Sequence, residues 1–136
     1  MLRMRPLRRT LLALALCQVA GCAFAGDVFI IANGVAGMTP EEVKEVFLGE
    51  VQFAGSVKLV PVDNVAAQAD FQARVLRMQA SKYTASWTKK AFRDGLSAPP
   101  MKGSDAEVTG FVRANPGAVG YVSAPPASGV TLIGKF

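Results

Sequence analysis

Histidine is absent from this 136-residue chain. That removes the commonest general base and the commonest metal ligand. Cysteine occurs twice, at Cys17 and Cys22, too few for a disulfide framework. Charged residues make up only 18% of the chain against 51% hydrophobic, which excludes intrinsic disorder. No apolar run reaches the roughly 20 residues that span a bilayer. Also missing are a Gly-rich phosphate loop, a carboxylate pair at catalytic spacing and a metal-ligand spacing. A hydrolytic triad would need an unusual base such as lysine. The expectation is therefore a protein that is not an enzyme and uses no cofactor and no metal.

What is present begins with an uneven distribution of charge. The formal net charge is +5, a balance that invites nucleic acid or an anionic membrane as partner. Four of the arginines, Arg3, Arg5, Arg8 and Arg9, precede the apolar run Leu11 to Leu16, and small residues then lead to Ala23-Phe24-Ala25. A positive start, a short apolar stretch and an A-x-A end describe a secretory signal peptide over residues 1–25. The alternative is Val19-Ala20-Gly21-Cys22, read as a lipobox with Cys22 as the lipidated first residue. Cleavage after Ala25 is favoured, because a strand starting near Val28 leaves a lipidated Cys22 almost no tether. Removing four arginines leaves eleven basic residues against ten acidic ones, a net charge of +1 for residues 26–136. The charge argument for nucleic acid then disappears, and the expected location is the periplasm, or a lipid anchor through Cys22 in the alternative.

Residues 26–136 read as one domain. Asp27 to Ala32 is a continuous apolar run, suited to a buried strand in a parallel or mixed sheet. Thr39-Pro40-Glu41-Glu42 carries a cap, a first-turn proline and a capping box, with Val43, Val46 and Phe47 as the buried stripe and Gly49 as the stop. Val57 to Val62 reads as a strand whose Pro61 demands an edge or an end. Asp63 or Asn64 is expected to cap a helix running to about Met78, buried through Ala67, Phe71, Val75 and Met78. A third helix opens at Ser81, buries Tyr83, Trp87 and Ala91, and closes at Gly95. Ser104 to Glu107 is a second capping box ahead of Val108, Phe111 and Val112. Ala118 to Val122 is a strand whose Gly120 suggests close approach of another backbone, and Val130 to Ile133 is a short last strand. The order β-α-β-α-α-α-β-β argues for a layered α/β domain with a mixed sheet flanked by helices.

Three of these segments, in this order, resemble the phosphate-type periplasmic solute-binding protein family. In the helix MTPEEVKEVFLGE the match rests on Thr39, Glu42, Val46, Phe47 and Gly49; KLVPVD with the following Phe71 helix is similar to the family's next strand-loop-helix; and Pro116 to Val122, PGAVGYV, is similar to its P-G-A-I-G-Y-V strand. The resemblance implies one lobe of a type 2 periplasmic binding protein, a small single-lobe member of the kind labelled phosphate ABC transporter substrate-binding protein. It implies phosphate or a related oxyanion as ligand, and a membrane transporter as partner. The ligand loop departs from the pattern. Where the family carries an arginine and a Ser-Gly-Thr turn, this chain has Asp63-Asn64-Val65-Ala66-Ala67-Gln68, with Val65-Ala66-Ala67 in the Ser-Gly-Thr position.

A ligand site would lie in the crevice at the strand ends and helix starts. Asn33, Gly34, Thr39, Asp63, Asn64, Ala66 and Ser123 are its candidate residues, contributing largely through loop backbone amides. Acids at three helix starts (Glu41 and Glu42, Asp63, Asp105 and Glu107) complement the helix dipoles and would repel an incoming anion. Lys82, Lys89, Lys90 and Arg93 form a local basic cluster, read as a solvated helix face or as a docking surface for an acidic partner or lipid headgroups. The alternative function is an envelope accessory or interaction module built on half a binding-protein fold. A single lobe cannot enclose a small anion from both sides, so tight solute binding would call for a homodimer.

Overall fold

The computed structural model describes residues 26–126 and 128–136. The signal-peptide reading, the lipobox at Cys22 and the cleavage after Ala25 fall on residues outside those described.

A four-stranded mixed sheet forms the centre. Strand β1, Phe29–Ala32, pairs antiparallel with β7, Ala118–Val122, on one side and with β8, Thr131–Lys135, on the other. Strand β4, Val60–Pro61, closes the β7 edge in parallel, giving the order β4-β7-β1-β8. Pro61 thus sits on an edge strand, where its missing N–H costs no ladder bond. The expected single strand over 57–62 is divided. Val57–Lys58 (β3) instead forms a small hairpin with Phe53–Ala54 (β2). The chain then runs through β4 into β5, Asp63–Asn64, which pairs in parallel with β6, Met101–Lys102.

Side chains alternate across β1 because successive strand residues face opposite ways. Ile30 and Ala32 join the larger core with Val119 and Tyr121 of β7. Helix α1, Pro40–Phe47, helix α2, Gln68–Phe71, and helix α3, Ala80–Asp94, cover that face. Phe29 and Ile31 face the other way and pack with Val62, Ala118 and Val122 against helix α4, Asp105–Ala114. The result is an α/β fold, a mixed sheet with helices on both sides.

Helix α1 is built as its sequence dictates. The Glu42 N–H donates to Thr39 Oγ1 at 3.2 Å and the Thr39 N–H donates to Glu42 Oε2 at 2.8 Å, completing the capping box. Helix α2 departs from expectation. It starts at Gln68 without a side-chain cap: Asp63 accepts from Tyr83 and Tyr121, and Asn64 Oδ1 accepts the Ala66 N–H, short of the helix. It also does not run on as an α-helix. Gln72–Leu76 is a wider π-helical turn, which brings Phe71 and Leu76, five residues apart, into the core and leaves Met78 only partly buried. Arg77 ends it in the left-handed region at φ 51°. Helix α3 begins at Ala80 rather than Ser81 and buries Tyr83 and Trp87, whereas Ala91 stays exposed. The second capping box is half formed: the Glu107 N–H donates to Ser104 Oγ at 3.3 Å, but Glu107 Oε2 accepts from Gly103 rather than Ser104. Gly120 is approached by side chains, not by backbone. A Cβ there would stand 2.7 Å from Val108 and 2.9 Å from Val62. The last strand starts one residue later than its apolar run and ends two later, at Lys135.

Candidate functional site

Two adjacent residues of β5 organise the strand-end region. Because they are consecutive, their side chains point to opposite faces. Asp63 turns toward α3 and is only 2% exposed. Its Oδ2 accepts from the Tyr83 hydroxyl at 2.7 Å and its Oδ1 from the Tyr121 hydroxyl at 2.8 Å. Tyr121 is held in place by its ring, stacked on Phe71 at 3.9 Å between centroids with Phe47 beside both. Burial raises the Asp63 pKa above the ordinary carboxylate value, and the two tyrosine hydrogen bonds oppose that shift. Burial, followed by the charge of Asp63, pushes both tyrosine hydroxyls upward, so they stay protonated as donors.

Asn64, fully buried, turns toward α4. Its Nδ2 donates to Asp105 Oδ1 at 2.7 Å and to the Tyr121 carbonyl at 3.0 Å, while its Oδ1 accepts from the Ala66 N–H at 3.0 Å. Asp105, at the first position of α4, also accepts from the Ser123 N–H at 3.1 Å and from the Ser123 hydroxyl at 2.7 Å. A carboxylate of the chain itself therefore fills the centre of a cluster of donors. Every buried side-chain polar atom among the described residues has a hydrogen-bond partner.

The candidate residues separate into three places. Asp63, Asn64, Ala66 and Ser123 meet around β5 and the end of β7. Asn33, at the end of β1, donates from Nδ2 to the Val112 and Arg113 carbonyls at 2.9 and 3.1 Å and so closes the last turn of α4. Gly34 follows it in the left-handed region at φ +74° with open space around its α-carbon. Thr39 is engaged in the α1 capping box. Missing from the candidates were Tyr83, Tyr121 and Asp105. The tyrosines lie 20 and 58 residues from Asp63 in sequence, so no local spacing pointed to them. Asp105 carried a visible signal as a helix-start acid, but its role as acceptor for Ser123 depends on the sheet.

Beside Asp63 lies a cleft of about 490 Å³ between α3 and the segment 96–101. Asp63 forms part of its lining, with Tyr83, Trp87, Leu96 and Pro99 as largely apolar walls and Gln68, Thr84 and Thr88 as polar points. Trp87 is fixed by its own indole N–H, which donates to the Phe47 carbonyl at 3.0 Å. An anion entering here would meet a carboxylate rather than a cation. Among the described residues, no group of three or more His, Cys, Asp or Glu is placed to hold a metal ion.

No family model matches the chain, and no curated protein matches it by sequence. Solved structures do match it in fold. An ABC-type phosphate transport receptor from Vibrio cholerae superposes with a TM-score of 0.58 at 16% identity, over 80% of this chain and 47% of that one. A putative phosphate ABC transporter substrate-binding protein from Clostridium perfringens, solved with bound phosphate, gives a TM-score of 0.59 at 15% identity, over 80% and 45%. PstS from Borrelia burgdorferi gives 0.58 at 11% identity, over 79% and 47%. The chain thus spans about half the length of these neighbours, and its mixed sheet with flanking helices matches half of a periplasmic binding protein fold.

Proposed function

We propose that this chain is an exported binding module of the cell envelope, which uses half a solute-binding fold for contacts other than capture of a free oxyanion. The observation that carries this reading is the position of Asp105. Its carboxylate takes the Ser123 N–H, the Ser123 hydroxyl and an Asn64 amide hydrogen, the donors that a small oxyanion would need in the crevice. Displacing it would leave a partly buried carboxylate without partners and place a second anion beside it, both unfavourable. The loop at Val65-Ala66-Ala67 offers no hydroxyl in compensation, and Asp63 adds a further acid.

The second reading is phosphate or a related oxyanion delivered to an ABC-type transporter, with two chains pairing to enclose the ligand. It is supported by the fold shared with phosphate-binding proteins. Titration calorimetry with phosphate and with sulfate separates the two. The expected result is no saturable heat at millimolar anion for the folded protein, and weak binding in Asp105→Gly, where the Ser123 and Asn64 donors are released. Saturable phosphate binding by the unaltered protein would overturn the first reading. Mass spectrometry of the N-terminus in an exporting cell reports Gly26 or lipidated Cys22.

A further inference from the structure

Charge in residues 26–136 is segregated. Of eleven basic and ten acidic residues, four basic and one acidic stand in α3, leaving seven against nine elsewhere. The four are Lys82, Lys89, Lys90 and Arg93. They line one shallow concavity of about 390 Å³ together with Ser86, and Glu50 is the acid that faces it. Asp94 pairs with Arg93 at 3.2 Å, and Lys90 is half-buried beside Gly49, which leaves Lys82 and Lys89 as the exposed cations of this face. Beside them stands Phe92. It is 90% exposed, the most exposed large hydrophobic side chain among the described residues, and lies three residues from Lys89 and one from Arg93. Positions three apart on a helix are neighbours on its surface. A bare phenyl ring against a solvated face is unfavourable, whereas beside lysines it has a use at a lipid headgroup boundary. Such a surface binds anionic lipid by adding lysine attraction to insertion of the apolar group.

We infer that the outer face of α3 docks on an anionic phospholipid surface, with Lys82 and Lys89 at the headgroups and Phe92 in the acyl boundary. Trp87 and Tyr83 on the opposite side of α3 are buried in the core, so the helix presents this face without unfolding. The inference concerns a different surface from the Asp105 crevice and stands whichever way the anion titration falls.

The test uses the protein recovered after export, in a Cys22→Ala background, so that no lipid on that residue contributes. Co-sedimentation is measured with vesicles of equal parts phosphatidylglycerol and phosphatidylcholine, and with phosphatidylcholine alone. Binding is expected to the mixed vesicles only, and to weaken as salt is raised. Each lysine near an anionic surface contributes about fivefold. Lys82→Gln with Lys89→Gln should therefore weaken binding about 25-fold, and Phe92→Ser about tenfold. These positions are solvent-facing, and unchanged circular dichroism is the check that each variant is folded. No binding to the mixed vesicles, equal binding to both vesicle types, or binding that survives both sets of substitutions would overturn the proposal. So would retention on a soluble polyanion such as heparin without binding to vesicles, which would assign the face to an acidic macromolecule.

Discussion

Tyr121→Phe removes one atom from the centre of the molecule and leaves the rest of the side chain in place. The ring stays stacked on Phe71, with planes 6° apart, and is fully buried, so packing is conserved. What is lost is the hydroxyl that donates to Asp63 Oδ1 at 2.8 Å. A hydrogen bond to a charged group contributes about 1.5–3 kcal/mol, and an acceptor buried this deeply finds no water to replace it. A destabilisation of about 2 kcal/mol is therefore expected at pH 7. With a urea m-value of about 2 kcal/mol/M, the midpoint would fall by about 1 M. Trp87 is the single tryptophan, and its emission reports unfolding directly.

The pH dependence supplies the stricter check. The Tyr121 bond holds the Asp63 pKa down against burial, so the variant's native carboxyl protonates at a higher pH than the wild type's. As pH falls, the variant gains a native-state proton first and the gap between the two proteins narrows. Below both native pKa values only a neutral hydrogen bond separates them, about 0.5–1.5 kcal/mol. A gap below about 0.5 kcal/mol at pH 7, within the range of an indifferent surface change, would refute the reasoning. So would a gap that stays constant over the whole pH range in which both proteins fold, because the bond would then not involve a titrating carboxylate.

Three further outcomes follow from the same structure. Asp63→Asn should alter the pH profile of stability. The native carboxyl has a raised pKa, so between the unfolded value near 3.8 and the higher native one the native state holds a proton that the unfolded state has lost. Wild-type stability attributable to this group therefore falls as pH rises through that window, and the profile of the Asn variant, followed by urea titration, should lack that fall. Gly120→Ala should cost about 1–3 kcal/mol, because its Cβ would be 2.7 Å from Val108 and 2.9 Å from Val62 in packed core; an unchanged melting temperature would contradict that contact. Thr39→Ala should cost about 1 kcal/mol in thermal unfolding, the value of an N-cap whose reciprocal bond is also formed.

The sheet and its helices were legible where a signal is local. The capping box at Thr39, the edge proline Pro61 and the stop at Gly95 depend on residues within a few positions of each other, and each is found in that role. Helix α2 was misread for the complementary reason. Asp63 and Asn64 have the chemistry of caps, but Asp63 is claimed by Tyr83 and Tyr121, 20 and 58 positions away, and Asn64 turns its Oδ1 to the Ala66 N–H, short of the helix, while its Nδ2 serves Asp105. The π-helical turn at Gln72–Leu76 likewise follows from bringing Phe71 and Leu76 together into the core, which an α-helical periodicity does not encode. Asn33 falls away from Ser123 because β1 runs antiparallel to β7: the end of β1 lies beside Ala118 at the start of β7, a strand's length from Ser123 at its other end.

The buried carboxylate is where fold and binding surface become one problem. A charge taken out of water is costly, and replacing such a group by apolar atoms is often neutral or stabilising. Asp63 is nonetheless placed between Tyr83 of α3 and Tyr121 of β7, and in that position it ties the helix to the sheet. The same helix forms one wall of the 490 Å³ cleft and, on its outer side, carries Lys82, Lys89 and Phe92. Meanwhile Asn64, the next residue, ties α4 to β7 through Asp105 and the Tyr121 carbonyl. Donors that the fold gathers at its strand ends are thus consumed in fixing the two helices that flank them. A protein organised this way gains a rigid α3 at the expense of an open anion site. This is why the outer face of α3, rather than the crevice, is where its contacts with other molecules are to be sought.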